Sequence, residues 1–184
     1  VDTSKEEMAF TVNRQKQLVR LIRILFLKRF ESSAWAFEMS CQNLLLKMLA
    51  FTTKHSKTDA DKRRLERWQA QHADLIGYVQ AKQVEMFKEE PDEENEDIIT
   101  PEMLEEIEEL SPEEYKVEEI VAETYLDMDE VARFLEELKK FKSTNDDKLK
   151  ALIKLLKTDA ALSKHKIIIF TEFMMTARYL KEEL

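Results

Sequence analysis

The sequence predicts a mainly α-helical protein with a long antiparallel helix hairpin, several smaller helices, and a single βα unit of a truncated α/β domain at its end. Three observations carry this prediction. The 184 residues include only 1 Gly and 3 Pro, so tight turns are scarce and long helices are favoured. Apolar residues recur three and four positions apart over most of the chain. One unbroken, mostly β-branched apolar run, Ile167 to Phe170, interrupts that pattern near the end.

The first long helix of the hairpin is predicted over about residues 14–52. Its apolar stripe is wide, which predicts burial on much of its circumference, against other helices or against another lobe. Ser32 and Ser33 mark an expected bend, because their hydroxyls compete for backbone hydrogen bonds.

The second long helix is expected to end near Lys88, which places the hairpin over residues 14–88. Thr58 or Asp59 can cap its first turn. Residues 89–97 combine charges with a proline and predict a linker or loop.

Shorter helices are predicted beyond that linker. Thr-Pro-Glu at 100–102 and Ser-Pro-Glu at 111–113 each place a hydroxyl at the N-cap, Pro at the first helical position and an acid in the first turn. The expected helices extend through Leu110 and about Glu123. Further helices are predicted to start at Asp127 or Asp129 and, after a break at residues 143–145, at the following Asp pair, 146–147.

The last segment, residues 164–184, predicts a strand at Ile167–Phe170, a polar turn and an amphipathic helix. A buried parallel strand needs neighbouring strands for its backbone groups, so we expect a piece of a longer protein. The predicted organisation is a helical hairpin (1–88), an acidic insert (89–126), helices leading to a second lobe (127–163) and this βα unit.

Charge is distributed unevenly over these segments. Residues 1–88 contain 16 Lys and Arg against 10 Asp and Glu, whereas residues 89–126 contain 1 against 17. This asymmetry suggests a surface that faces a polyanion beside an acidic insert. A single cysteine, Cys41, suits a reducing compartment, and the chain has no signal-peptide pattern and no membrane-spanning apolar run. These features predict a cytoplasmic protein that does not contact a membrane.

Three blocks of the sequence carry recognisable motifs: LKRFESSAWAF at residues 27–37, DKLKALIKLL at residues 147–156 and IIIFTEFMMTARYL at residues 167–180. Together they resemble the Swi/Snf-like ATPases of helicase superfamily two, in particular their bacterial, RNA-polymerase-associated ATPase group. Residues 167–180 resemble motif IV, in which an apolar strand leads into Phe-Thr-Glu-Phe and a helix with Thr-x-x-Tyr-Leu. Residues 27–37 resemble the Leu-Lys-Arg-Leu-Glu-Ser-Ser…Ala-Phe segment near the exit from the first RecA-like lobe. Residues 147–156 resemble the Asp-x-Lys…Leu…Leu-Leu segment before motif IV.

The resemblance implies the inter-lobe helical region of an ATP-dependent DNA helicase or translocase, ending at the start of its second RecA-like lobe. The expected partners are double-stranded DNA, the rest of the same chain, and RNA polymerase or another DNA-bound complex. ATP and Mg would serve the parent protein, but this segment has no Gly-rich phosphate loop, no magnesium box and no arginine finger. The predicted segment is therefore not catalytic.

The candidate nucleic-acid-binding residues are of two kinds. Lys and Arg neutralise phosphates without reading a base sequence, and Thr and Phe of motif IV follow a predicted strand at the edge where ligands bind. The set comprises Arg20, Arg23, Lys28, Arg29, Thr171 and Phe173. A solvated helix face and a strand end that merely packs are the plainer readings. The alternative function is a stand-alone helical interaction module whose acidic arm binds a basic partner.

Overall fold

The computed structural model describes residues 20–89 and 99–184, which are mainly helical and confirm the predicted fold class. In this part of the chain the helices, numbered in order, are α1 (residues 20–32), α2 (Ala34–His55), α3 (Asp59–Gln71), α4 (Ala73–Glu89), α5 (Pro101–Glu105), α6 (Val117–Leu138), α7 (Asp147–Thr158) and α8 (Met174–Glu183). Single 3-10 turns at Ser143–Asn145 and Leu162–Lys164 flank α7. None of the helices in the described ranges is long and apolar enough to cross a membrane.

The described residues form two compact units. The first combines residues 20–37 with Ile168–Leu184, and the second is Glu38–Ile167. The predicted linker at residues 89–97 and the first six positions of the predicted first helix lie outside the described residues, apart from residue 89 itself at the end of α4.

The predicted first helix is two helices, α1 and α2, separated at Ser33. The Ser33 hydroxyl accepts a hydrogen bond from the backbone N–H of Ala36 at 3.1 Å, which is the geometry of an N-cap. The interruption therefore falls at the serine pair, as expected from its hydroxyl chemistry.

Among the described residues, α1 lacks the burial predicted for the first helix. Phe26 and Phe30 contact the ring of Phe37 in the same unit, at centroid distances of 6.2 Å and 5.2 Å. Large side chains around the helix are nevertheless between 42% and 58% exposed: Leu21, Ile22, Ile24, Leu25, Leu27 and Phe30. A helix that is apolar all round needs neighbours on every side, and the described residues leave about half of each of these side chains exposed.

The predicted strand at Ile167–Phe170 was also wrong, because these residues form no regular secondary structure. Ile168 is 78% exposed and Phe170 is 88% exposed. A strand exists only where a neighbour accepts its backbone hydrogen bonds, and residues 20–89 and 99–184 contain no strand. The helix predicted after it is present as α8, so only half of the βα unit is formed.

The core of the second unit comes from α2, α4 and α6. Its fully buried apolar side chains include Leu45, Leu75, Val79, Met128 and Leu135. The start of α2 contacts the second half of α4 through polar side chains forty or more residues apart. The chain therefore reverses direction between α2 and α4, as predicted for the hairpin.

The second long helix starts where predicted but is divided into α3 and α4 at His72. Thr58 is the N-cap of α3, and its hydroxyl accepts a hydrogen bond from Asp61 N at 3.2 Å. The Asp61 carboxylate in turn accepts one from Thr58 N at 3.0 Å. This reciprocal pair is a capping box, and it satisfies two backbone donors that the helix itself cannot.

Replacing Thr58 by alanine is expected to lower the free energy of unfolding by about 1 kcal/mol, the usual cost of a lost N-cap. Thr53→Ala is the matched control, since Thr53 is exposed and its hydroxyl only donates to Leu49 O within α2. Urea unfolding followed by circular dichroism measures both. An equal loss in the two variants would contradict the capping role.

The contribution of this cap depends on pH. The two hydrogen bonds from Thr58, first from its side chain and then from its backbone, lower the pKa of Asp61. A carboxyl whose pKa is lowered by folding stabilises the protein above its unfolded pKa of about 3.9, and that stability disappears as the pH falls through the folded value. The difference between the wild type and Thr58→Ala is therefore expected at pH 7 and should shrink near pH 3.

Helix starts beyond residue 99 follow the predictions in part. Thr100 caps α5 by accepting from Met103 N at 3.3 Å, but α5 ends at Glu105 instead of reaching Leu110. Ser111 starts a single turn and not a helix: its carbonyl accepts from the N–H groups of Glu114 and Tyr115 and its hydroxyl from Glu113 N, and the regular helix begins only at Val117.

One helix, α6, replaces the two predicted over residues 111–142. The predicted start at Asp127 or Asp129 lies in the middle of α6 because Tyr125 and Met128 are buried on either side of it. Burial of these side chains stabilises the continuous helix more than an aspartate cap would stabilise a new start. The start of α7 is as predicted, with the Asp146 carboxylate accepting from Leu149 N at 2.9 Å.

Candidate nucleic-acid interface

All six candidate residues lie in the first unit. Arg20, Arg23 and Lys28 are exposed on α1, and Arg29 is half-buried. Thr171 and Phe173 are half-buried in the segment that precedes α8. The structure thus presents the charged candidates on a helix and the motif IV candidates on a turn.

The turn is shaped by its own side chains. Thr171 Oγ1 accepts a hydrogen bond from Phe173 N at 3.3 Å. Phe173 is the N-cap residue of α8, with extended backbone angles, φ −111° and ψ 127°. The Phe173 carbonyl then accepts from the N–H groups of the first turn of α8. These contacts direct the chain from residue 171 into the helix.

The C-terminal end of α1 contacts this turn. The Arg29 guanidinium carbon lies 4.8 Å from the centroid of the Phe173 ring, a cation–π contact. Lys28 Nζ lies 4.0 Å from Glu172 Oε1, but both side chains are more than half exposed, so this ion pair contributes little. Lys28 therefore keeps most of its surface open to an anion.

The basic candidates do not form one continuous surface. Arg20 and Arg29 are nine residues apart, about 14 Å along the helix axis and on opposite sides of it. Lys28 and Arg29 lie beside the turn at 171–173, whereas Arg23 lies about one and a half turns and Arg20 more than two turns away from them on α1. The structure therefore brings together four of the six candidate residues.

A buried hydroxyl cluster beneath the turn was not predicted. Thr176 Oγ1, on α8, lies 2.7 Å from Ser32 Oγ and 2.8 Å from Ser33 Oγ. Thr176 and Ser33 are both buried. One turn further along each helix, the ring of Tyr179 lies 5.2 Å from that of Trp35. These contacts hold α8 against the junction of α1 and α2.

The only sign of this cluster in the sequence is that its three members are polar residues within helical segments. Ser32, Ser33 and Thr176 belong to the two resembling blocks, but 143 or more residues separate the serines from the threonine. Helical periodicity predicts which residues share a face of one helix and gives no information on which helices meet.

A second polar cluster, in the second unit, was also missed. Glu38 is 6% exposed at the start of the α2 segment of that unit. Its Oε1 accepts hydrogen bonds from Tyr78 Oη at 2.6 Å, Gln42 Nε2 at 3.0 Å and Lys82 Nζ at 3.1 Å. The buried negative charge is thus matched by one cation and two neutral donors. Lys139 Nζ, on α6, lies 5.1 Å from the Tyr78 ring.

The pKa shifts around Glu38 indicate that this cluster has a structural role. Burial, reinforced by Glu38, raises the pKa of Tyr78. Burial acts to lower the pKa of Lys82, but the charge of Glu38 and the hydrogen bond with Tyr78 outweigh it and raise that pKa. Burial, with Glu38 nearby, raises the pKa of the Cys41 thiol to about 12. A buried, protonated thiol is a poor nucleophile and metal ligand.

The described residues offer no ready site for a metal ion. Within residues 20–89 and 99–184, no three His, Cys, Asp or Glu side chains come close enough to hold one. What the first unit can do chemically is to present a cation and an aromatic ring beside a turn of fixed geometry. Comparison of the chain with protein-family models, with curated proteins and with solved structures finds no match.

Proposed function

We propose that this chain is the non-catalytic inter-lobe segment of an ATP-dependent DNA helicase or translocase, and that it couples two RecA-like lobes to DNA. One observation supports the proposal above others. The two blocks that resemble the Swi/Snf-like family, near residues 27–37 and 167–180, contact each other although most of the chain separates them. Such contact is expected if both blocks belong to one functional element.

The chemistry of the contact fits a phosphate backbone. Lys28 is exposed and Arg29 is oriented by the Phe173 ring, so a strand that passes the turn would meet two cations at once. Thr171 would add a hydroxyl from the turn. Contacts of this kind fix the position of a nucleic acid without reading its sequence, as a translocase requires.

Exposed apolar surface in the same unit gives further support. Large side chains on α1 and at Ile168 and Phe170 are too numerous for a free surface, and such surfaces usually mark contact sites. In the proposed protein the RecA-like lobes cover them, and those lobes bind the ATP and Mg. We place this protein in the cytoplasm, acting on double-stranded DNA alone or with RNA polymerase bound to it.

The alternative is a stand-alone helical module that binds a basic partner. It is favoured by the exposed glutamates from the end of α5 to the first turn of α6, such as Glu105, Glu108, Glu113 and Glu118. Their negative charge would repel a nucleic acid and attract a basic protein. A basic protein ligand would therefore bind these acidic residues, whereas DNA would bind the basic residues of the first unit.

The test is fluorescence anisotropy of the 184-residue chain with a fluorescein-labelled 20-base-pair duplex (a generic length) at several salt concentrations. The double variant Lys28→Ala/Arg29→Ala is expected to weaken binding about tenfold and to reduce the slope of log K against log salt by roughly 2, since each lost phosphate contact removes about 0.9.

The matched control is Lys154→Ala/Lys157→Ala, which removes the same charge from exposed positions of α7. This control should bind DNA as the wild type does. Equal losses in both double variants would indicate attraction by net charge alone and would contradict the proposed interface. Binding to a basic peptide but not to DNA would favour the interaction module.

A further inference from the structure

His55 joins the end of α2 to the segment that connects α5 with α6. It is 8% exposed and belongs entirely to the second unit. Residues 105–110, named here the strap, run past it, and Leu110 N donates a hydrogen bond to His55 Nε2 at 2.9 Å. On the other side of the ring, His55 Nδ1 lies 2.8 Å from Phe51 O.

These two contacts fix the protonation state of the imidazole. A carbonyl oxygen only accepts, so Nδ1 carries a hydrogen and donates it to Phe51 O. A backbone N–H only donates, so Nε2 carries the lone pair that Leu110 N requires. Both contacts are satisfied only by the neutral ring with its hydrogen on Nδ1.

Two lysines hold the strap beside this histidine. Lys54 Nζ donates to the carbonyls of Glu105 and Ile107. Lys57 Nζ lies 2.6 Å from Glu109 Oε1. The hydrogen bond from Lys57, with its charge, lowers the pKa of Glu109, so this carboxylate stays ionised in weak acid.

We propose that His55 is a pH-sensitive latch, and that protonation of Nε2 releases the strap from the end of α2. The protonated ring has a hydrogen on each nitrogen, so Nε2–H then faces the N–H of Leu110 and two donors meet without an acceptor. At 8% exposure the new N–H reaches water only if the strap moves away.

Charged groups lie beside the His55 ring on the end of α2 and on the strap. Lys54 and Lys57 are cations, and Glu109 is the one carboxylate of the strap that is paired at this site. The remaining strap carboxylates, on Glu105, Glu106 and Glu108, are exposed to solvent. On α6, Tyr125 is uncharged in this range, as tyrosines ordinarily are, and burial raises its pKa further.

Amide hydrogen exchange of the ¹⁵N-labelled chain, measured by NMR at pH 7.5 and pH 5.5, tests the latch. After correction for intrinsic exchange, protection of the Leu110 amide is expected to fall about tenfold at the lower pH. In His55→Gln the response should disappear, because a glutamine amide offers the same donor and acceptor but does not titrate in this range. His72→Gln, which alters another partly buried histidine, should keep the wild-type response.

Two results would overturn the proposal. The first comes from the exchange experiment: Leu110 protection that does not change with pH in the wild type, or that falls equally in His55→Gln. The second needs no variant: long-range ¹H–¹⁵N spectra at pH 7.5 should show the hydrogen of His55 on Nδ1. A ring protonated on Nε2 at that pH would exclude the latch, whatever the variant does.

Discussion

Replacing Glu38 by alanine is expected to lower the free energy of unfolding by about 3–5 kcal/mol, the range for a buried ion pair that loses one partner. The change leaves the Lys82 ammonium without its carboxylate and leaves Tyr78 Oη and Gln42 Nε2 without their acceptor. Gln42 is fully buried, so its amide cannot turn to water instead. Urea unfolding at pH 7 measures the loss.

Three companion variants separate the charge from the shape. Glu38→Gln keeps the size of the side chain and one acceptor, so we expect a smaller loss of about 1–3 kcal/mol. Glu38→Leu with Lys82→Met removes both charges and should recover much of the stability lost in Glu38→Ala. Glu66→Ala, at an exposed position on α3, should change stability by less than about 0.5 kcal/mol. A loss below about 1 kcal/mol in Glu38→Ala would show that the cluster contributes little.

The Glu38 cluster shows where sequence reasoning stops. Within α2 the glutamate is one polar residue in a helical pattern, and nothing local indicates that it is 6% exposed. Its partners Tyr78 and Lys82 are 40 and 44 residues away. Burial of a charge is decided by which helix faces it, and that information is absent from the periodicity of either helix.

Helix starts were predictable where a side chain caps its own helix. Thr58, Thr100 and Asp146 each bond to a backbone N–H three residues ahead, so a window of four residues contains the whole interaction. The start at Ser111 failed although it has the same residue types. There the local hydrogen bonds close a turn, and the helix begins later, at Val117.

The strand prediction failed because a strand depends on interactions outside its own segment. Ile167 to Phe170 has the composition of a buried parallel strand, and composition is local. Pairing is not local, since each backbone group needs a partner on another strand. The candidate interface was predictable in part. The residues of its two blocks were identified from the sequence. The contacts between the blocks, of Arg29 with Phe173 and of both serines with Thr176, could be seen only in the structure.

Two neighbouring apolar residues of α6 differ in burial, although their sequence pattern is the same. Phe134 and Leu135 share helical spacing with Val131 and Leu138, so the sequence pattern puts both on one apolar face, yet Leu135 is fully buried and Phe134 is 53% exposed. Leu135→Ala is therefore expected to lower the free energy of unfolding by about 3 kcal/mol, through lost apolar contact and the cavity left in the core. Phe134→Ala removes a larger side chain and should cost less than about 1 kcal/mol.

The comparison is informative because the two residues are neighbours on α6 and their helix propensities differ by less than about 0.7 kcal/mol, well below the expected difference. Circular dichroism of both variants in urea, at equal protein concentration, gives the difference directly. If Phe134→Ala were the more damaging change, the exposed ring would have to be covered in solution, and the assignment of the core to Met128, Ala132 and Leu135 would be wrong. If Leu135→Ala lost less than about 1 kcal/mol, α6 would not pack on α4 as described, because a fully buried leucine in a close-packed core cannot be removed at so small a cost.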